Sequence, residues 1–194
     1  MNFEQLHAMT FNALYGCLVL LTFVVIERLG YFAYLTSHVW RIRRILQQAG
    51  FDPVHGAAEI TAPDVISRAV REYIEYQRQE DVPRARVDDL SNALFLRVES
   101  AVNARLWVVD TIVTAAPLLG LLGTILGIMQ TFTALAAGGV SDPAEVSRGI
   151  GTALIATAIG IGTALYGLVG LNMLTRFAEY LIDRFKVFLL RTTL

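Results

Sequence analysis

Three stretches of this chain carry no Asp, Glu, Lys or Arg: Gln5–Ile26, Thr111–Ser141 and Gly149–Thr175. About 20 predominantly apolar residues cross a bilayer as a helix, so each stretch is long enough. A bilayer core offers the backbone no water, and a lone apolar segment must satisfy its amides internally as a helix. Composition agrees. Hydrophobic residues make up 55% and charged residues 17%, whereas soluble domains carry about a quarter charged residues. Mean hydropathy is +0.52. These features exclude a soluble enzyme and predict an all-α integral membrane protein with three transmembrane helices.

The net charge of -1 conceals an asymmetry. Basic residues cluster between Arg41 and Arg105 and again from Arg176 to Arg191, with only Arg28 and Arg148 elsewhere. Basic flanks of spans stay on the cytoplasmic side. The expected organisation is therefore N-out and C-in. It comprises a periplasmic N-terminus and first span (1–36), a cytoplasmic helical region (37–106), a second span (107–137), a periplasmic loop (138–148), a third span (149–175) and a cytoplasmic C-terminal helix (176–194). Met1–His7 contains one acid and no Lys or Arg. That is unlike the basic start of a signal peptide, so the first span reads as a retained anchor. Tyr31, Phe32, Tyr34 and Trp40 suit an interfacial belt at its cytoplasmic end.

The region from Ser37 to Leu106 is patterned. Gly50–Pro53 and Gly56 read as a turn cluster. Asp64 is placed to cap a helix carrying Val65, Ala69, Val70, Tyr73 and Ile74, and Asp81–Pro83 breaks the pattern. From Arg84 there is no Gly or Pro until Pro117, and Leu90, Leu94, Val98, Ala101, Val102 and Leu106 form one apolar stripe. One continuous helix of roughly 80 Å from about Arg84 to about Ala136 is expected. Acids interleave with the basic residues here, so no nucleic-acid surface forms. Arg41, Arg43 and Arg44 suit anionic lipid headgroups.

The second and third spans are rich in small residues. Gly120, Gly123 and Gly127 in one, and Thr152, Ala156, Gly160 and Ala164 in the other, recur at three- and four-residue spacing. Such residues let backbones approach closely in lipid, where greasy side chains supply little net drive. Their packing demand exceeds what one three-span chain supplies, which implies a homo-oligomer.

Charge at mid-membrane is costly and marks ion paths, yet these spans have none. They have hydroxyls instead. Pro117, Thr124 and Thr131 recur every seven residues on one face of span two, with Pro117 a candidate kink, and span three brings Thr152, Thr157 and Thr163. A threonine hydroxyl donates and accepts without the penalty of a full charge. The alternatives are that these groups bond to their own helix carbonyls, or that they line a polar path around an ionisable group from another protein. His7, His38 and His55 are scattered and pair with nothing, the single Cys17 forbids an internal disulfide, and no metal-ligand spacing occurs. No cofactor is expected. Asp110, at the cytoplasmic end of span two, reads as an interfacial cap or an exit relay.

Ala116–Phe132, with its Gly-Leu-Leu-Gly-Thr124 segment, resembles the span-two signature of the MotA/TolQ/ExbB proton channel family, closest to its ExbB/TolQ branch. Ala153–Gly160 matches the span-three motif, and Glu27-Arg28-Leu29 is also similar. The resemblance implies a pentameric ring in the bacterial inner membrane around a dimer of an ExbD/TolR-like single-span partner, whose aspartate carries the proton. It implies Thr124 and Thr157 as pore threonines, with Thr152 and Thr131 beside them. It also implies a motor that turns proton motive force into rotation for TonB-type import or Tol-type envelope maintenance, with a TonB- or TolA-like protein further along. Two positions depart from the family. Thr152 stands where many relatives have glutamate, and Tyr166 where many have proline. The first departure keeps open a non-conducting scaffold paralogue or a sodium-driven variant.

Overall fold

A computed structural model describes residues 3–47, 62–79, 83–138 and 143–192 of the chain. The described residues form five helices: α1 (Phe3–Gln47), α2 (Val65–Gln77), α3 (Arg84–Asn103), α4 (Leu106–Gly138) and α5 (Pro143–Thr192). Three of them are long and apolar enough to cross a membrane, over Gln5–Trp40, Leu106–Ala136 and Pro143–Leu189. The turn cluster expected at Gly50–Gly56 and the basic side chains at 41, 43 and 44 lie outside the described residues.

The helix that carries the expected third span begins before Gly149. Helix α5 starts at Pro143 with Glu145 in its first turn. Proline suits the first helical position because its missing N–H would be unpaired there anyway, and a carboxylate favours the positive end of the helix.

The chain divides into two compact units. One comprises Met1–Ile26 and Arg105–Met173, the other Glu27–Ala104 and Leu174–Leu194. In the first unit, Leu14, Leu21 and Val25 of α1, Val109, Ile112 and Ala116 of α4, and Ala153, Ala156 and Thr163 of α5 are buried. The side chains turned outward, such as Val19, Leu118 and Val169, are large and apolar.

The second unit buries large apolar side chains. Asp64 caps α2 as its position predicts, accepting from Ser67 N at 2.9 Å and from Ser67 Oγ at 2.6 Å. The helix buries Ile66, Ala69, Val70, Tyr73 and Ile74 and packs on α3. The α3 stripe is buried at Leu94, Val98 and Val102. Tyr73 meets Phe188 of α5 edge-on at 6.1 Å, and Glu72 pairs with Arg97 at 2.9 Å across α2 and α3. That ion pair is exposed on both sides and adds little stability.

The single 80 Å helix expected from Arg84 to Ala136 is instead two. α3 ends at Asn103, Ala104 is extended (φ -53, ψ 140), and Arg105 takes a left-handed φ of 67° before α4 begins. The apolar stripe itself explains the break. Val102 and Val109 are both fully buried, and in a continuous helix Arg105 would fall between them on the same face. A buried guanidinium without a partner is costly. Turning the backbone at Ala104–Arg105 leaves Arg105 exposed instead. Left-handed backbone at a residue with a Cβ costs on the order of 1 kcal/mol, less than that burial would.

Arg105→Gly relieves this backbone strain and is expected to stabilise the detergent-solubilised protein by about 1 kcal/mol, read as a higher thermal midpoint. A lowered midpoint would speak for a continuous helix.

Candidate functional site

The site lies within the first unit, where α4 and α5 touch at Gly120 and Gly160. A Cβ placed on Gly160 would stand 2.6 Å from the Ala116 carbonyl oxygen and 3.0 Å from Gly120 Cα; one on Gly120 would stand 3.1 Å from Thr157 Cα. Only glycine permits this approach, because the neighbouring atoms are backbone and cannot rotate away. Above this crossing, Gly123 faces Ala156 Cβ, and Gly127 faces Ala153 Cβ. Below it, Gly167 receives Leu21 of α1 and Val113 of α4.

The buried side of α5 in this unit therefore runs Ala153, Ala156, Gly160, Thr163, Gly167. Of the expected small-residue ladder, Ala156 and Gly160 lie on it, Ala164 is half-buried and Thr152 is exposed. Ala153 and Gly167 complete it at alternating three- and four-residue steps. A strict four-residue ladder drifts round the helix, since four residues overshoot one 3.6-residue turn.

The close approach brings the two expected pore threonines together. Thr124 Oγ1 and Thr157 Oγ1 are hydrogen-bonded to each other. Thr124 Oγ1 also reaches the Gly120 carbonyl of its own helix at 3.1 Å and the Ala153 carbonyl of α5 at 3.4 Å. Thr157 Oγ1 reaches the same Gly120 carbonyl at 3.1 Å. Each hydroxyl has one hydrogen and several acceptors within reach, so the pair redirects its hydrogen bonds by rotation alone. Gly120 carries both roles: its lack of a side chain admits the helix, and its carbonyl anchors the pair.

Thr131 and Thr152 behave differently. Thr131 Oγ1 donates to Gly127 O at 2.9 Å and Thr152 Oγ1 to Arg148 O at 3.0 Å, each within its own helix. Thr131 nevertheless abuts α5 at Gly149, where an added Cβ would strike its hydroxyl. Pro117 lies inside α4, half-buried, two turns from Thr124 on the face that Thr131 shares. Asp110 is exposed.

Beyond Thr131 the three helices enclose a cavity of about 400 Å³, lined by His7 of α1, Gln130 and Thr131 of α4, and Glu145, Arg148 and Thr152 of α5. Sequence spacing did not reveal His7 as part of this group, because it comes from a helix far away in the chain. Glu145, Arg148 and Thr152 were legible in principle, being three and four residues apart on one helix face. Among the described residues no group of His, Cys, Asp or Glu is arranged to hold a metal ion.

A model of the MotA/TolQ/ExbB proton channel family matches residues 59–187. Among curated proteins, the chain is similar to the putative biopolymer transport protein ExbB-like 2 of Helicobacter pylori, with 37% identity over 103 residues covering 53% of this chain and 67% of that protein. It is also similar to the Tol-Pal system protein TolQ of Pseudomonas aeruginosa, with 31% identity over 153 residues covering 76% of this chain and 64% of that protein. The biopolymer transport protein ExbB of Aquifex aeolicus is 36% identical over 88 residues, covering 45% of this chain and 60% of that protein. The chain thus spans about two thirds of the length of the curated relatives it matches.

The crossing predicts a contrast between two glycines of α5. Gly160→Ala, facing backbone at 2.6 Å, is expected to lose about 1–3 kcal/mol. Gly162→Ala, with nothing within 4 Å, is expected to be neutral or slightly stabilising. Thermal midpoints in mild detergent give the comparison, and equal effects would remove the close contact from the account.

Proposed function

The chain belongs to the MotA/TolQ/ExbB proton channel family, in its ExbB/TolQ branch, and from that premise we propose that it is the ring-forming, ion-conducting subunit of an inner-membrane motor. The observation that carries the reading is the Thr124–Thr157 pair, held across two charge-free helices on one glycine carbonyl. A hydroxyl pair of this kind relays a proton but does not store one, since neither group ionises near neutral pH. The storing group then belongs to a partner: a single-span protein of the ExbD/TolR type, bringing an aspartate to the level of the pair. Five copies of this chain around two of the partner, N-out and C-in, complete the proposed assembly.

Each proton crossing down the gradient releases about 2.3 kcal/mol per 100 mV. The proposed use of that energy is rotation of the partner inside the ring, delivered through a TonB- or TolA-like protein to import or envelope maintenance. Membership of a channel family supports transport rather than enzymatic catalysis.

Thr124→Val and Thr157→Val keep shape and volume while removing the hydroxyl. Each is expected to cost only about 1 kcal/mol of stability and to leave assembly with the partner intact, while proton flux in proteoliposomes falls at least about tenfold. Wild-type flux in both variants would exclude the pair from the path.

A second reading has one observation in its favour. Thr152, at the position where many relatives carry glutamate, is exposed and bonded to its own helix, which suits a scaffold that conducts nothing. Under the channel reading Thr152→Glu alters proton flux severalfold; under the scaffold reading flux is absent with either residue.

A further inference from the structure

His7 occupies a place where the packing of α1 calls for an apolar side chain. The buried stripe of this helix in the first unit passes through Thr10, Leu14 and Leu21, and His7 continues it one step toward the helix start at the same spacing. The ring packs edge-on against Phe11 at 5.1 Å. Its Nε2 is buried and has no hydrogen-bond partner in the protein. That nitrogen faces α4, 3.0 Å from where a Cβ on Gly127 would stand, while Ala153 Cβ is 2.8 Å from the same point. The Ala153 carbonyl is one of the acceptors within reach of Thr124. His7 also lines the cavity described above. A buried imidazole nitrogen without a partner is normally a cost that folding avoids. Here the ring lines the cavity while Nε2 itself is buried toward Gly127 of α4, one helical turn from Thr124.

The charged groups lining this cavity are Glu145 and Arg148, both from α5; the α4 residues that line it, Gly127, Gln130, Thr131, Ala134 and Leu135, are all uncharged. Histidine changes charge between about pH 5 and 8 without help, and that suits it to pick up and release protons. The spans themselves contain no other ionisable side chain between this cavity and the pair, and Thr152 has no titratable group to offer.

We propose that His7 is the titratable group through which protons pass between the cavity and the Thr124–Thr157 pair, standing in for the carboxylate that this chain lacks at position 152. The proposal rests on the channel reading above and names the ion as a proton, not sodium. In the step itself, the ring accepts a proton from hydronium at its cavity-lining edge and becomes imidazolium. A proton then leaves from the ring to a water or hydroxyl on the side of the pair. The ring returns to neutral, and no other bond is made or broken.

The test uses the complex of this chain with its copurified single-span partner in proteoliposomes, with an imposed membrane potential and proton flux followed as the pH on the cavity side is varied. The wild type is expected to show a step in flux between about pH 5 and 8. His7→Gln is expected to lower flux about tenfold and to abolish the step. His7→Ala is expected to regain flux on addition of free imidazole, which a purely structural loss would not do. Should either variant fail to assemble, carbethoxylation of the wild-type ring in a His38→Gln, His55→Gln background replaces it; loss of flux, restored by hydroxylamine, is the supporting result. If His7→Gln conducts like the wild type with the same pH profile while Thr124→Val does not conduct, the role of His7 is overturned and the channel reading stands. If the wild-type complex carries sodium and no protons, the role of His7 is likewise overturned. If it carries no ion at all, both fall together.

Discussion

The contact of Gly120 with Gly160 is the constraint on which the rest of the membrane-type unit depends. Helices surrounded by lipid gain little from burying apolar side chains against one another, because the lipid tails are equally apolar. What remains is dispersion at close range and hydrogen bonds across the gap, and both require the backbones to approach. Ala116 O and Gly120 Cα stand where a side chain on Gly160 would have to go. Because they do, Thr157 comes within 3.1 Å of the Gly120 carbonyl and within bonding reach of Thr124. A crossing moved outward by one methyl group would part the two hydroxyls and leave two ordinary self-bonded threonines, like Thr131 and Thr152.

The chemistry follows from the same contact. A charged side chain at the centre of a bilayer costs on the order of 3 kcal/mol on insertion scales. Hydroxyls anchored on a shared carbonyl provide polarity without it. Their hydrogens can turn, but they hold no proton of their own at neutral pH. A path of this composition therefore depends on ionisable groups at its ends or from outside the chain.

Much of the architecture was legible in the sequence, and the exceptions have specific causes. The charge-free blocks located the three membrane-type helices, Asp64 announced the start of α2 through Ser67, and the heptad spacing of Thr124 and Thr131 identified the face of α4 that meets α5. The break at Arg105 was hidden because Val102, Val109 and Ile112 keep a helical period straight through it. The clue was an arginine on the apolar stripe, a conflict that pattern counting alone passes over. Pro143 falls within the expected 138–148 loop, yet it opens α5, because its missing N–H fits the first helical turn. His7 was set aside for want of a ligand partner nearby in sequence; its neighbours come from α4 and α5, and only tertiary structure unites them. Family likeness implies Thr124 and Thr157 as pore threonines, while the spacing within either helix gives no sign of which threonines meet.

Helix α5 changes the size of its buried residues along its length. Within the first unit the buried positions are Ala153, Ala156, Gly160, Thr163 and Gly167; within the second they are Leu174, Ala178, Leu181, Phe185 and Leu189. The period is unchanged, so the helix needs no new backbone signal. The mean size of the side chains rises abruptly between Gly170 and Leu174. In water, burying a Leu or Phe is worth about 1.5–3 kcal/mol, and large residues on the stripe hold helices together. In lipid that gain vanishes, and small residues that admit a neighbouring backbone do the same work. The first charged residue after the small stretch, Arg176, follows directly on this change. One helix thus obeys two packing rules in succession. The threonine pair sits well inside the portion governed by close backbone approach, where polar groups can be held without water.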